Sequence, residues 1–308
     1  MTLLPAINTY SVRIADQSAP QQQYPYVAFA INKEAAYAAG AVFAALTAST
    51  AASGLATKRI SYGVASIGSA CLTASMVLLA TADDPHSTKV QAHVALEYSG
   101  AYMLILASSL IIHGCMLAIE LPVDLAAARY RFVLRAYPTL SAVAVICAVV
   151  LECAGVSLAG RRDKRYVQTG CALHLAAACC GLAAAGLGLL IGVWQIRRSA
   201  TGRICRSGWR SRVLGNVLLV LWSGFSVAGG VSRLGWRSRA AWFLLGVVPL
   251  ALAQVVWLVG DMPWAGVLSH LGLRDKRKPD AQPQWSTYAL DFSYPLRSGG
   301  SRPGAARE

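Results

Sequence analysis

The stretch VALEYSGAYMLILASSLIIHGCMLAIELPV, residues 94–123, decides the fold class of this chain. A membrane-spanning α-helix needs roughly 20 mostly apolar residues, and this stretch exceeds that length. It nevertheless carries two carboxylates and one imidazole, on Glu97, Glu120 and His113. Because an ionised side chain in hydrocarbon is costly, such groups are expected at helix ends or facing the inside of a bundle. The stretch therefore predicts a spanning helix with three polar side chains to account for.

The composition of the whole chain supports the same class. Of the 308 residues, 56% are hydrophobic and only 14% are charged, whereas a soluble domain has about 25% charged residues. The net charge of +14 comes from short basic clusters between long apolar runs. That arrangement is typical of membrane-flanking loops and lacks the basic face of a nucleic-acid-binding protein. We therefore expect membrane lipids around the protein and no nucleic-acid partner.

Seven apolar segments are long enough to span, which predicts an all-α, multi-pass transmembrane bundle. They cover residues 35–56, 60–82, 94–121, 138–160, 167–196, 213–232 and 240–260. The first is rich in alanine, so a six-helix count is an alternative. Short links between the segments require neighbouring helices to be antiparallel. Tryptophans near predicted helix ends, among them Trp242 and Trp257, are expected to lie at the membrane interfaces.

The distribution of basic residues predicts how the bundle is oriented. With the N-terminus outside, fifteen Lys and Arg residues flank the spans on the cytosolic side and ten on the outer side, which favours this orientation and a cytosolic C-terminus. Residues 1–34 then form an outer segment, and residues 35–273 form the membrane domain, which ends in an interfacial segment. Residues 274–308 form a disordered basic tail. The expected location is the plasma membrane or an endomembrane of a eukaryotic cell, and no oligomeric state is predicted.

In the third segment, Glu97 and Glu120 are separated by 23 residues, or about 34 Å of helix. This spacing predicts that the two carboxylates lie at opposite rims of the membrane. His113 lies inside the span and is expected to face the bundle interior, with Gln254 or Asn216 as available partners. It is a candidate for a ligand or proton site.

The strongest candidate pair is Glu152 with His174. Glu152 lies well inside the fourth segment, and both residues are eleven positions from Asp163 in the intervening turn. Antiparallel helices would therefore place them at equal depth, about 12 Å from the outer rim. A carboxylate at that depth must be protonated or find a partner. We predict that Glu152 faces the next helix and contacts His174, as a proton site or as a structural clasp.

A group of acids and histidines near the outer end of the third segment was considered as a metal site. Its members are Asp83, Asp84, His86, His93 and Glu97. His93 and Glu97 have i, i+4 spacing and would share a helix face, but no H-x-x-x-H or H-E-x-x-H motif is present. We expect this group to be solvated, so His86, His93 and Glu97 are weak metal candidates. No metal or cofactor is predicted.

The predicted layout of seven helices, an outer N-terminus and a basic tail resembles that of fungal seven-helix membrane proteins. These include the lipid-translocating exporter family and receptor-like proteins. A G-protein-coupled receptor should have an Asp-Arg-Tyr-like triplet after its third helix, whereas Ala128-Arg129-Tyr130 lacks the acid here. The resemblance therefore implies a general layout, and no functional residue is carried over from it.

The sequence has no Walker loop, G-x-S-x-G elbow or dinucleotide fingerprint. We therefore expect a receptor-like or transport-like bundle that handles a small lipophilic or amphiphilic ligand. The alternatives are an intramembrane enzyme that uses Glu152 and His174, or His113, and a non-catalytic membrane scaffold subunit.

Overall fold

The computed structural model describes residues 32–83, 87–117, 126–161, 164–199, 206–232 and 242–261. Within these ranges the chain is helical without any strand, and seven helices are long and apolar enough to cross a membrane. The seven-span prediction is confirmed and the six-helix alternative is wrong. The predicted tail, the interfacial segment before it and all but the end of the predicted N-terminal segment lie outside the described residues.

The helices follow the predicted order along the chain. They are α1 Lys33–Thr57, α2 Ile60–Ala80, α3 Thr88–Leu117, α4 Ala126–Ala159, α5 Lys164–Ser199 and α6 Arg206–Ser232, followed by a π-helical turn Trp242–Val247 that continues into α7 Val248–Asp261. Helices that are consecutive in the chain pack against each other, and α3 also packs against α5 and α6. Since α3 is the most buried span and α1 the least, α3 is the central element of the bundle.

Local sequence explains why the alanine-rich first segment is a complete helix. The Asn32 side chain caps α1 by accepting a hydrogen bond from the Ala35 N–H at 3.2 Å, which satisfies one of the free donors of the first turn. At the other end, Lys58 adopts a left-handed conformation with φ 54°, as residues that terminate helices often do. Lys58 and Arg59 alone then reverse the chain into α2.

Helix α4 is longer than its apolar segment. It begins at Ala126 and continues through Pro138, where the sequence had predicted the start of the helix. Proline removes one intrahelical hydrogen bond, but the helix continues on both sides of it. Hydropathy detects only the apolar part, which begins near Ala136, so the basic residues that precede it had not been assigned to the helix.

Two pairs of glycines set the closest approaches between helices. A Cβ atom on Gly68 would lie 2.8 Å from the Gly100 carbonyl oxygen, and one on Gly170 would lie 2.5 Å from the Gly155 carbonyl oxygen. Only glycine allows such backbone contact between α2 and α3 and between α4 and α5. The second contact also fixes the register of α4 against α5 beside Glu152, which lies three residues before Gly155.

Candidate functional site

Glu152 and His174 form a direct contact between α4 and α5. His174 Nδ1 lies 2.9 Å from Glu152 Oε1 and 2.8 Å from Oε2, and the Glu152 side chain is completely buried. The predicted facing position and contact of Glu152 are therefore confirmed. Two carboxylate oxygens at nearly equal distances from one nitrogen fit a protonated Nδ1 that donates to both. The contact joins an acid and a base inside the spans.

Glu97 and His93 form a second pair, within α3. Glu97 Oε2 lies 3.3 Å from His93 Nε2, and the Trp242 indole donates a hydrogen bond to Glu97 Oε1 at 3.1 Å. Glu97 is only 3% exposed and His93 only 1%. The prediction that Glu97 lies near a membrane rim stays a prediction, and the structure adds that the π-helical turn before α7 covers Glu97 with Trp242. Trp242 and Trp257 are themselves buried in the bundle, and their assignment to the membrane interfaces also stays a prediction.

The contacts of His93 determine where its protons lie. The Ser75 hydroxyl donates to the His93 carbonyl at 3.0 Å, so it must accept at the 2.7 Å contact with His93 Nδ1. Nδ1 therefore carries a hydrogen. His93 Nε2 lies 3.3 Å from Glu97 Oε2 without a hydrogen bond of normal geometry between them. Because both groups are buried, their close approach favours one further proton, held by either the carboxyl group or the imidazole. In both cases the pair has no net charge and one exchangeable proton.

Tyr98 connects the two pairs. It follows Glu97 on α3, and its ring meets the His174 ring edge-on with 4.7 Å between centroids. Its hydroxyl lies near that of Ser226 of α6, and its ring also contacts Trp222, with 5.5 Å between centroids. The two pairs, Tyr98 and Trp242 therefore come from α3, α4, α5 and the turn before α7, and α6 packs against them. We call this set the carboxylate cluster, and it consists of His93, Glu97, Tyr98, Glu152, His174 and Trp242.

The three other candidate residues lie apart from each other. Gln254 is buried and accepts a hydrogen bond from the Ser69 hydroxyl, whereas Asn216 Oδ1 accepts one from Ser108 at 3.0 Å. His113 is half-buried, and its Nδ1 has no hydrogen-bond partner in the described part of the chain. The expected partnership of His113 with Gln254 or Asn216 is therefore not formed. The register of α7 places Gln254 against α2, and that of α6 places Asn216 against Ser108, five residues before His113.

The proposed outer group of acids and histidines is divided in the structure. His93 and Glu97 share a helix face as predicted, but they are buried, so the expectation that they are solvated is wrong. Asp83 is exposed and pairs with Lys33 at 2.9 Å, and this ammonium group holds the pKa of Asp83 below its usual range. Among the residues that the structure describes, no group of three His, Cys, Asp or Glu side chains could hold a metal. Asp84 and His86 lie outside those residues.

Sequence reasoning missed Tyr98, Ser75, Ser226 and the role of Trp242. The neighbouring pair Glu97-Tyr98 in an apolar stretch was a usable signal, because a carboxylate and a phenol together suggest a polar lining. Nothing local indicated Ser75, since serine is common in spanning helices and usually bonds to its own backbone.

Seven long apolar helices around buried acid–base pairs define the class of multi-pass helical membrane proteins. Comparison of the chain with protein-family models, with curated proteins and with solved structures gave no match. The site is therefore interpreted from its own chemistry.

Proposed function

We propose that this protein is a transport-like membrane bundle that binds a small amphiphilic cation at the carboxylate cluster and exchanges it for a proton. The observation that supports this proposal is the buried Glu152–His174 contact of 2.8 Å inside the spans. An ionisable pair at such a position is a candidate proton or ion site. The second pair, Glu97 with His93, belongs to the same cluster and adds a second buried carboxylate.

The sign of the ligand charge follows from the interior charges. Glu97 and Glu152 are the buried carboxylates of the described residues, and no lysine or arginine of that part is buried with them. The cluster therefore favours positive charge. A bound cation would replace the proton that an acid–base pair shares. One positive charge then enters the cluster as another leaves, and the net charge of the cluster stays constant. Such an exchange avoids an uncompensated charge in a medium of low dielectric constant.

The side chains around the carboxylates suit a ligand with an apolar body. The rings of Tyr98, Tyr102 and Trp222 pack against each other, with centroids 5.5 to 6.2 Å apart, and Trp242 lies against His93. Aromatic faces attract cations and bury alkyl or aryl groups. A carboxylate site with these walls fits an amphiphilic cation better than a small hydrated ion.

The proposal can be tested with two lipophilic ions of matched shape, tetraphenylphosphonium and tetraphenylborate. With the purified protein in lipid nanodiscs, we expect saturable binding of the cation, accompanied by proton release into a weakly buffered solution. Glu152→Gln should lose both signals, whereas Glu34→Gln, the same change in the exposed first turn of α1, should keep them. Equal binding of the two ions, or proton release that survives Glu152→Gln, would contradict the proposal.

The contact between an acid and a base also favours a second candidate, an intramembrane enzyme in which Glu152 and His174 transfer protons. The scaffold alternative treats the same contact as a polar clasp. The nanodisc experiment separates the transport-like bundle from the scaffold, because a clasp predicts neither cation binding nor proton release. An enzyme would convert its substrate, whereas a transport-like bundle would release the probe unchanged.

A further inference from the structure

The seam between α3 and α6 has a constant register along its length. Tyr98 lies against Ser226, the Tyr102 ring lies 5.8 Å from that of Trp222, and Ser108 donates to Asn216 at 3.0 Å. Because these helices are antiparallel, each step forward along α3 matches an equal step back along α6. The same register therefore extends from the carboxylate cluster to Asn216.

Buried hydroxyl groups mark two polar compartments along this seam. Next to the carboxylate cluster, Tyr102 Oη and Ser223 Oγ are buried without a hydrogen-bond partner in the described ranges. Near the other end, Tyr137 Oη and Ser141 Oγ are in the same situation among the residues described. Buried polar groups of this kind are normally satisfied by ordered water. Each compartment therefore has bonding capacity for water.

Gly188 belongs to the second compartment, which we call the Asn216 compartment. A Cβ atom on Gly188 would lie 3.0 Å from Tyr137 Oη and 3.1 Å from Asn216 Oδ1. The two oxygens therefore come from different helices, α4 and α6, and meet against the bare backbone of α5. Together with Ser108 they form a polar group that carries no formal charge.

A single apolar layer separates the two compartments. The register places Ile105 of α3 opposite Leu219 of α6, and both side chains are buried. Tyr102 and Ser108, on either side of this layer, are six residues apart, or about 9 Å along the helix. Packed apolar side chains offer water no polar partner, so a layer of this kind remains dry. The layer therefore separates two polar parts of the seam, one next to the carboxylate cluster and one at the Asn216 compartment.

We propose that the α3–α6 seam is a proton path between the carboxylate cluster and the Asn216 compartment, closed by the Ile105–Leu219 layer. The proposal rests on the proposed function, because Glu152 and His174, with Glu97 and His93, supply and receive the proton. The proton passes through water held by Tyr102 and Ser223. It crosses the layer only when that layer is hydrated, and it continues through water at Tyr137, Ser108 and Asn216. No covalent bond other than O–H and N–H bonds changes.

The test introduces a hydroxyl group into the layer. Full-length Leu219→Ser is reconstituted in liposomes containing the pH dye pyranine, and a potassium gradient with valinomycin drives proton movement. We expect a proton flux about tenfold or more above that of the wild-type protein, because a hydrated layer lowers the barrier for the proton. Ile105→Ser, from the opposite helix, should have the same effect and serves if Leu219→Ser does not fold.

Two controls separate hydration of the seam from other effects. Leu219→Ala removes comparable volume without adding a polar group and should remain close to wild type, since apolar cavities stay dry. Leu221→Ser makes the same chemical change at a side chain that is 55% exposed on α6 and should also leave the flux unchanged. Wild-type flux in correctly folded Leu219→Ser and Ile105→Ser, or equal flux in Leu219→Ala, would overturn the proposed path.

The double variant Leu219→Ser with Glu152→Gln distinguishes this inference from the proposed function. Loss of the added flux supports both. If the flux persists, the path stands, but Glu152 is not its proton source, which counts against the exchange of a cation for a proton. Conversely, tetraphenylphosphonium exchange in the wild-type protein without any flux in the serine variants would overturn the path alone.

Discussion

The two buried carboxylates, Glu97 and Glu152, each lie beside a histidine, but different parts of the structure bring the partners together. Glu152 pairs with His174 across two neighbouring helices joined by a short turn, whereas Glu97 pairs with His93 on its own helix. The first pair is made by the register of a helical hairpin. The second is sealed by Trp242, which lies 145 residues further along the chain, and by Ser75 of α2. The comparison teaches that depth in a span and burial in a bundle are separate properties.

The pairs also differ in what holds each carboxylate. Both oxygens of Glu152 face His174 Nδ1, so one side chain on α5 satisfies them together. The oxygens of Glu97 have separate neighbours, Trp242 at one and His93 at the other. A change in the packing of α4 against α5 should therefore disturb the Glu152 pair as a whole, whereas the Glu97 pair can lose one neighbour and keep the other.

The largest effect is expected from Gly170→Ala, which breaks the interhelical pair without touching either partner. The new Cβ would lie 2.5 Å from the Gly155 carbonyl oxygen, so α4 and α5 must separate. We expect a loss of stability of about 1–3 kcal/mol, as for overpacked positions, measured as a lower melting temperature in detergent. Gly186→Ala on the same helix is the matched control, because nothing lies within 4 Å of its added Cβ. Equal melting temperatures for the two variants would contradict the proposed role of the glycine contact.

A smaller effect is expected from Trp242→Phe, which opens the pair within α3. Phenylalanine keeps an aromatic ring but removes the N–H group that donates to Glu97 Oε1. Loss of this hydrogen bond should cost about 1 kcal/mol, the usual net contribution of one hydrogen bond. Combined with Glu97→Leu in a double-mutant cycle, the two changes should be less than additive, since each removes the same bond. Additive losses of melting temperature would show that the hydrogen bond contributes nothing to stability.

The smallest effect on stability is expected at the exposed ion pair Lys33–Asp83. This pair serves as the exposed counterpart of the two buried acid–base pairs. Lys33 lowers the pKa of Asp83, so the pair stabilises the folded protein at neutral pH. This contribution is lost as the pH falls through the lowered pKa, below the usual aspartate value of about 4. Asp83→Asn should lower the melting temperature slightly at pH 7 in low salt, and the difference should disappear in acid and in high salt. A difference that persists in acid would contradict the ionic origin.

Much of the architecture was predictable because it depends on properties local to the chain. The apolar stretches indicated seven spans, and each of them overlaps one of the seven long apolar helices. The Glu152–His174 contact was predictable from the equal distances of the two residues from the turn, since a short turn leaves an antiparallel pair little freedom of register. The sequence did not indicate that Trp242 covers Glu97, or that His113 lies without a bond to Gln254 or Asn216. Their surroundings depend on helices distant in sequence.

The sequence by itself therefore determined the class of the protein, the number of long apolar helices and the position of each polar side chain along its helix. These follow from hydropathy and from the constant rise of an α-helix. Only the tertiary structure decided which side chains at a given depth meet. That choice depends on the angular position of each helix in the bundle, which is set by close contacts such as Gly68 with Gly100. Sequence periodicity does not specify those contacts. Lipid and the protein interior are both apolar, so hydropathy does not distinguish the helix face that contacts lipid from the face that packs against another helix.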